Sequence, residues 1–155
     1  MPHIHEKIDY DSDTFIVNGD AVLLRMHDKY KLWLPPGGHI ELDEEPQEAA
    51  VREVKEEVGL EVLLLGEGEN TFPDGEKELL VPRFMNRHRI NETHEHISFV
   101  FFATSDTREF SQGDTEVSDE IRWFTKEELD NPDFGVTERV KYYAHAALEE
   151  LGVRK

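Results

Sequence analysis

The sequence predicts a mixed α/β or α+β fold, and three observations carry that expectation. Short apolar runs bounded by turn residues recur along the chain and read as strands. One stretch around residue 50 has helical periodicity between a clear start and a clear stop. The order of strands and helices is not the simple alternation of a wholly parallel sheet. At 155 residues the chain fits one domain over 1–155, and such a domain buries roughly 70% of its unfolded surface without needing staples.

Taken in order, Phe15-Ile16-Val17 and Ala21-Val22-Leu23-Leu24 flank Asn18-Gly19-Asp20, a hairpin signal because Asn and Gly both accept positive φ. A turn at His27-Asp28-Lys29 leads to a strand over 30–34, which stops at Pro35-Pro36-Gly37-Gly38. A helix is expected from Glu45 to Val58, with Pro46 at its first position, Gly59 as its left-handed cap and Ala50, Val51, Val54 and Val58 as its apolar stripe. Strands follow over 61–65, 79–86 (with Pro82 marking an edge or bulge), 94–104 and 121–124, separated by polar loops at 66–78 and 105–119. Thr125-Lys126-Glu127-Glu128 is a capping box opening a brief helix, and Val140, Tyr143, Ala147, Leu148 and Leu151 share a face of a last helix.

Composition narrows the functions available. The absence of cysteine excludes disulfides, thiolate metal sites and a cysteine nucleophile. No apolar run approaches the ~20 residues of a membrane span, and the N-terminus has no apolar signal core, so a cytoplasmic protein with no membrane partner is expected. Asp and Glu number 35 against 17 Lys and Arg, and the formal charge of −18 disfavours nucleic-acid binding. A polyphosphate substrate would need a metal ion or a few placed Arg and Lys to approach. Monomer and homodimer remain open.

Glu53, Glu56 and Glu57 stand at i, i+3 and i+4 and so converge on one side of the predicted helix, beside its apolar stripe. A solvated acidic face is the ordinary reading of such a pattern. Solvated faces intersperse Lys, however, and here Glu53 and Glu57 face each other with none at that spacing. Clustered carboxylates of this kind are oxygen ligands for hard cations such as Mg²⁺ or Mn²⁺. Arg52 follows the same edge within reach of Glu56.

With the glycines upstream, the stretch resembles the Nudix hydrolase family, its MutT-like members included. The family signature is G-x5-E-x7-R-E-U-x-E-E-x-G-U, with U a bulky aliphatic residue. Gly38, Glu44, Arg52, Glu53, Val54, Glu56, Glu57, Gly59 and Leu60 fill every required position. Asp43 departs from the glycine that many relatives carry. The resemblance implies an α/β/α sandwich around a mixed sheet and hydrolysis of a nucleoside diphosphate linked to another group. It implies Mg²⁺, with Mn²⁺ as a possible substitute, on Glu53, Glu56 and Glu57, joined by the Gly38 carbonyl, with Glu44 as an outer partner. It gives Arg52 the task of orienting the glutamates and makes Glu53 the first choice for general base. Relatives also use an acid from a late loop, where Glu116 and Glu120 are available. Gly37 and Gly38 expose backbone to the substrate, and Arg25 is a phosphate contact or a surface charge.

Weaker patterns accompany the motif. Asp9, Asp11, Asp13 and Asp20 mimic a calcium loop, but Thr14 and Asp20 replace its required glycine and glutamate. His94 and His96 share a strand face, yet a zinc site needs a third ligand and the sequence marks none; His3-x-His5 reads as an inert terminal pair. Trp33, Phe72 and Phe84 could stack a base or pack in the core. The sub-signatures of the NADH, coenzyme A, dinucleoside polyphosphate and ADP-ribose branches are missing. By elimination the expected substrate is a (deoxy)nucleoside triphosphate, cleaved to monophosphate and pyrophosphate. ADP-ribose, another nucleotide sugar or a dinucleotide is the alternative; a non-catalytic nucleotide sensor is the rival of another class.

Overall fold

The computed structural model describes residues 7–68, 70–112 and 120–153. Among them, eight strands form one mixed sheet: β1 (Ile8–Asn18), β2 (Ala21–Met26), β3 (Trp33–Leu34), β4 (Gly37–His39), β5 (Leu63–Leu64), β6 (Phe84–Asn91), β7 (His94–Thr104) and β8 (Glu120–Thr125). Helices α1 (Pro46–Val58), α2 (Lys126–Asp130) and α3 (Glu138–Leu151) complete it, with a single 3₁₀ turn at Pro132–Phe134. None of these helices is long and apolar enough to cross a membrane.

The axis of the sheet is the parallel pair β1–β7, in register from Ile8 opposite Glu95 to Val17 opposite Thr104. The remaining pairs are antiparallel. β2 and β4 share the other edge of β1, β5 and β6 share the other edge of β7, and β8 lies outside β2. Alternation along β1 sends Phe15 and Val17 to one face, where they pack with Val140, Tyr143 and Ala147 of α3. Ile16 faces the opposite way, toward Val54 and Val58 of α1. The expected sandwich, a mixed sheet between helices, is the observed one.

Several elements differ from expectation. The strand placed at 79–86 begins only at Phe84, beyond Pro82, and runs on to Asn91 to form a hairpin with β7. The strands expected at 30–34 and 61–65 shrink to two residues each. Helix α1 matches its start and stop, with Gly59 at φ 68° as the left-handed cap. Its buried face is different, however. Val51 is exposed, and Glu53 and Glu57 are buried with Ala49, Ala50, Val54 and Val58.

Candidate active site

Arg52 organises the outer part of α1. Its Nε and Nη2 donate to the two carboxylate oxygens of Glu44 at 2.7 and 3.0 Å, a bidentate fork. Nη1 donates to Glu53 Oε1 at 2.9 Å and to Glu56 Oε2 at 3.3 Å, and Nη2 also reaches the carbonyl of His39 at 3.1 Å. Three carboxylates thus converge on one guanidinium. The Arg52 hydrogen bond holds the Glu44 carboxyl below the usual range, and the same pairing pushes the guanidinium up.

Glu57, fully buried, has a different partner. Arg25 Nη1, itself buried at the end of β2, donates to Glu57 Oε2 at 2.5 Å, and the Gly37 amide lies 3.4 Å from Oε1. Strand β4 brings the glycines here by pairing Gly37 and Gly38 with Asp13 and Ser12 of β1. The close approach explains why Gly38 carries no side chain: a Cβ would lie 2.4 Å from Glu53 Oε1 and 2.9 Å from Oε2.

Between this corner and α3 lies a cavity of about 500 Å³. Arg25, Lys29, Arg89 and Arg139 line it, against the carboxylates of Asp11 and Asp13, so a strongly acidic protein gathers cations at one concavity. At its rim Tyr30 stacks on His27 with ring centroids 4.7 Å apart. Neighbouring Lys31 adopts φ 53°, closing a turn in which its amide donates to the His27 carbonyl at 2.8 Å.

Ionisable side chains line the cavity from the sheet, Asp11 and Asp13 on β1 and His96 on β7. Strand alternation carries the same faces on to Asp9 of β1 and to His94 and Ser98 of β7. Burial first, and the neighbouring Asp11 second, push the Asp13 carboxyl well above the carboxylate range. Burial and Arg139 lower His88 to about 4. One oxygen or nitrogen from each of Asp9, His39, His94 and His96 falls within 4.8 Å of the others, a group able to hold a metal ion.

The fold and this corner have known counterparts. The pattern described as the NUDIX domain matches residues 11–146. A solved NUDIX-family hydrolase from Clostridium perfringens is 37% identical, with a TM-score of 0.82 over 92% of this chain and 97% of that one. The chain belongs to the Nudix hydrolase family. The Nudix fold is shared, at 16% identity and on fold alone, with a C. elegans Ap4A hydrolase (TM-score 0.69, covering 92% of this chain and 97% of that one). Xenopus laevis NUDT17, described as an m7GpppN-mRNA hydrolase, is 40% identical over 77 residues, 41% of this chain and 25% of its own length. The match spans a quarter of that relative.

Within this Nudix domain the residues singled out in the sequence separate into two groups. Arg52 gathers Glu44, Glu53 and Glu56, while Arg25 and Gly37 meet Glu57. Glu120 is exposed at the start of β8, opposite Met26, and does not line the cavity; Glu116, His3 and His5 lie outside the described residues. Trp33 packs edge-on against Phe124 in the core, Phe84 packs against Phe102, and Phe72 is exposed away from the cavity. The Asp9-Asp11-Asp13 series is strand alternation rather than a calcium loop, and Asp20 pairs with Arg108. Tyr30, Arg139 and the His39 contribution escaped the sequence reading. Only the period-two alternation of polar residues on two strands about 85 positions apart hinted at the ionisable lining.

Proposed function

We propose that this Nudix domain hydrolyses a phosphoric anhydride in a nucleoside diphosphate-linked substrate, with Mg²⁺, or Mn²⁺ in its place, held by Glu53, Glu56, Glu57 and the Gly38 carbonyl. The observation that carries the reading is the Arg52 fork, which draws Glu44, Glu53 and Glu56 together beside a glycine cleared of side chain. The donor set fits a hard cation, being carboxylate oxygens with a backbone carbonyl at hand. Bound there, such an ion supplies positive charge at the anhydride and lowers the pKa of a coordinated water.

The chain's own residues do the rest. Arg52, tied to Glu44 and to the His39 carbonyl, fixes the carboxylates of Glu53 and Glu56. Glu53 Oε2, across the carboxylate from the oxygen that Arg52 holds, is the proposed acceptor of the water proton; Glu120 is the second candidate. Arg25 orients Glu57, whose Oε1 is its proposed ligand atom. Lys29, Arg89 and Arg139 offset the phosphate charge, and Tyr30 on His27 offers a stacking platform for the base.

The substrate proposed is a (deoxy)nucleoside triphosphate, giving monophosphate and pyrophosphate, and the cavity volume suits one nucleotide. A capped or other dinucleotide is the second reading, favoured by the 40% identity with NUDT17. Product analysis over NTPs, dNTPs, ADP-ribose, dinucleoside polyphosphates and cap dinucleotide, with Mg²⁺ or with EDTA, separates them. Mg²⁺-dependent release of a monophosphate is expected, falling about 10³-fold in kcat for Glu56→Gln, whose exposed side chain makes misfolding a minor concern. Turnover that survives EDTA would refute the mechanism, and binding of nucleotides without turnover would leave a sensor instead.

A further inference from the structure

We infer that Asp9, His39, His94 and His96 form a second metal site, for a borderline divalent transition ion of the Zn²⁺ type, separate from the glutamates of α1. The four residues come from three adjacent strands. Asp9 on β1 stands opposite His96 of β7, Asp11 on β1 stands opposite His39 of β4, and strand alternation turns Asp9, His94 and His96 to one face.

The distances suit a small ion. His94 Nε2 lies 3.0 Å from Asp9 Oδ2, and His39 Nε2 lies 3.7 Å from the same oxygen. Bonds of about 2.0–2.1 Å in a tetrahedron place neighbouring ligand atoms about 3.3 Å apart, midway between those separations. All four ligand atoms lie within 4.8 Å of one another, and the half-exposed His39 ring is the one with most room to adjust on binding.

A supporting shell is already in place. His96 Nδ1 lies 3.1 Å from Asp11 Oδ2, and the buried Ser98 hydroxyl donates to Asp11 Oδ1. A carboxylate on one ring nitrogen fixes the tautomer and turns the other, Nε2, into the ligand atom, the usual outer partner of a metal-bound imidazole. The rings of His39 and His94 both stand edge-to-face on that of His96, with centroids 5.2 and 5.1 Å away.

Donor chemistry separates this site from the one on α1. Three imidazoles and one carboxylate are a closed four-ligand set for Zn²⁺, Co²⁺ or Ni²⁺, whereas Mg²⁺ prefers six oxygens and keeps its water. Four protein ligands leave no open position, so the ion is structural: it clamps β1, β4 and β7 at the strand that delivers Gly37 and Gly38. His39 is the hinge between the two sites, its ring in one and its carbonyl on Arg52.

The test uses the full chain, stripped of metal and titrated with Zn²⁺ in excess Mg²⁺ by calorimetry, and with Co²⁺ by visible absorption. One equivalent of Zn²⁺ should bind despite the Mg²⁺, raise Tm, and be mirrored by the intense absorption bands of tetrahedral Co²⁺. His94→Ala should abolish the bands and weaken Zn²⁺ binding more than about 100-fold, and Asp11→Asn should weaken it about 10–100-fold. Glu56→Gln should leave both readouts intact, which keeps this outcome independent of whether the protein turns over nucleotides. Should His94→Ala fail to fold, His39→Gln on its half-exposed ring gives the same readout. No retained equivalent in Mg²⁺, or one lost in Glu56→Gln and kept in the histidine variants, would overturn the site and leave only a hydrogen-bonded acid–imidazole cluster.

Discussion

Gly38 is where a single atom decides most. A Cβ would press on the carboxylate of Glu53, the flexible end of a side chain, and not on backbone. Gly38→Ala should therefore fold near wild-type Tm while displacing Glu53 by about an ångström, which costs on the order of 10²-fold in kcat. An unchanged kcat would show that Glu53 needs no fixed position. The Arg25–Glu57 pair behaves oppositely, because both side chains are out of solvent. Removing one partner leaves a buried charge, so Glu57→Gln should lose about 3–5 kcal/mol in denaturant unfolding, and Arg25→Met with Glu57→Leu should recover most of it. If the single variant loses less than the double one, the pair is not acting as a buried ion pair. Asp13 adds a pH signature. Its carboxyl is raised by burial and Asp11 and lowered by Arg139 and the Ser98 hydroxyl, with Glu53 opposing ionisation too. The native state then holds a proton that the unfolded state releases, so stability is full below the unfolded pKa and falls as pH rises toward the folded one. Asp13→Asn should raise Tm relative to wild type more at pH 8 than at pH 4 in EDTA. A pH-independent difference would remove the assignment.

At the level of elements, legibility depended on how local the determinants are. Helix α1 was readable because Pro46, Gly59 and the spacing of its apolar residues all lie within one short stretch. Its glutamates were readable as a cluster, but their burial was not, since it depends on Arg25 and Gly37 arriving from β2 and β4. The first half of β1 lacks an apolar pattern because Asp11 and Asp13 face the cavity and Asp9 shares their face, and only pairing with β7 reveals the stretch as strand. β6 shifted past Pro82 for the same reason: its partner, not its propensity, sets its register. The short turn between β2 and β3 carried no motif, yet it presents Tyr30 at the cavity rim over His27. If that ring stacks on the base, Tyr30→Ala should raise KM about tenfold and leave kcat within a factor of two, a loss of roughly 1–3 kcal/mol of stacking. A fall in kcat at constant KM would place Tyr30 nearer the reacting phosphates than the base.

For the whole molecule, two charge scales compete. The net charge is −18, whereas the cavity lining carries Arg25, Lys29, Arg89 and Arg139 against two aspartates. A chain of this length has a radius of gyration of about 15 Å. At 0.01 M salt the Debye length is about 30 Å, so an approaching polyphosphate feels the entire protein and is repelled. At 0.15 M it is about 8 Å, shorter than the molecule, and the cavity cations dominate the last part of the approach. kcat/KM for an anionic nucleotide should accordingly rise between these salt concentrations at fixed Mg²⁺, the reverse of an enzyme whose net charge attracts its substrate. Stopped-flow binding of a fluorescent nucleotide analogue should show the gain in the association rate and not in dissociation. A steady decline of kcat/KM from the lowest salt upward would mean that the cavity cations govern approach at every distance and the acidic surface is irrelevant to it.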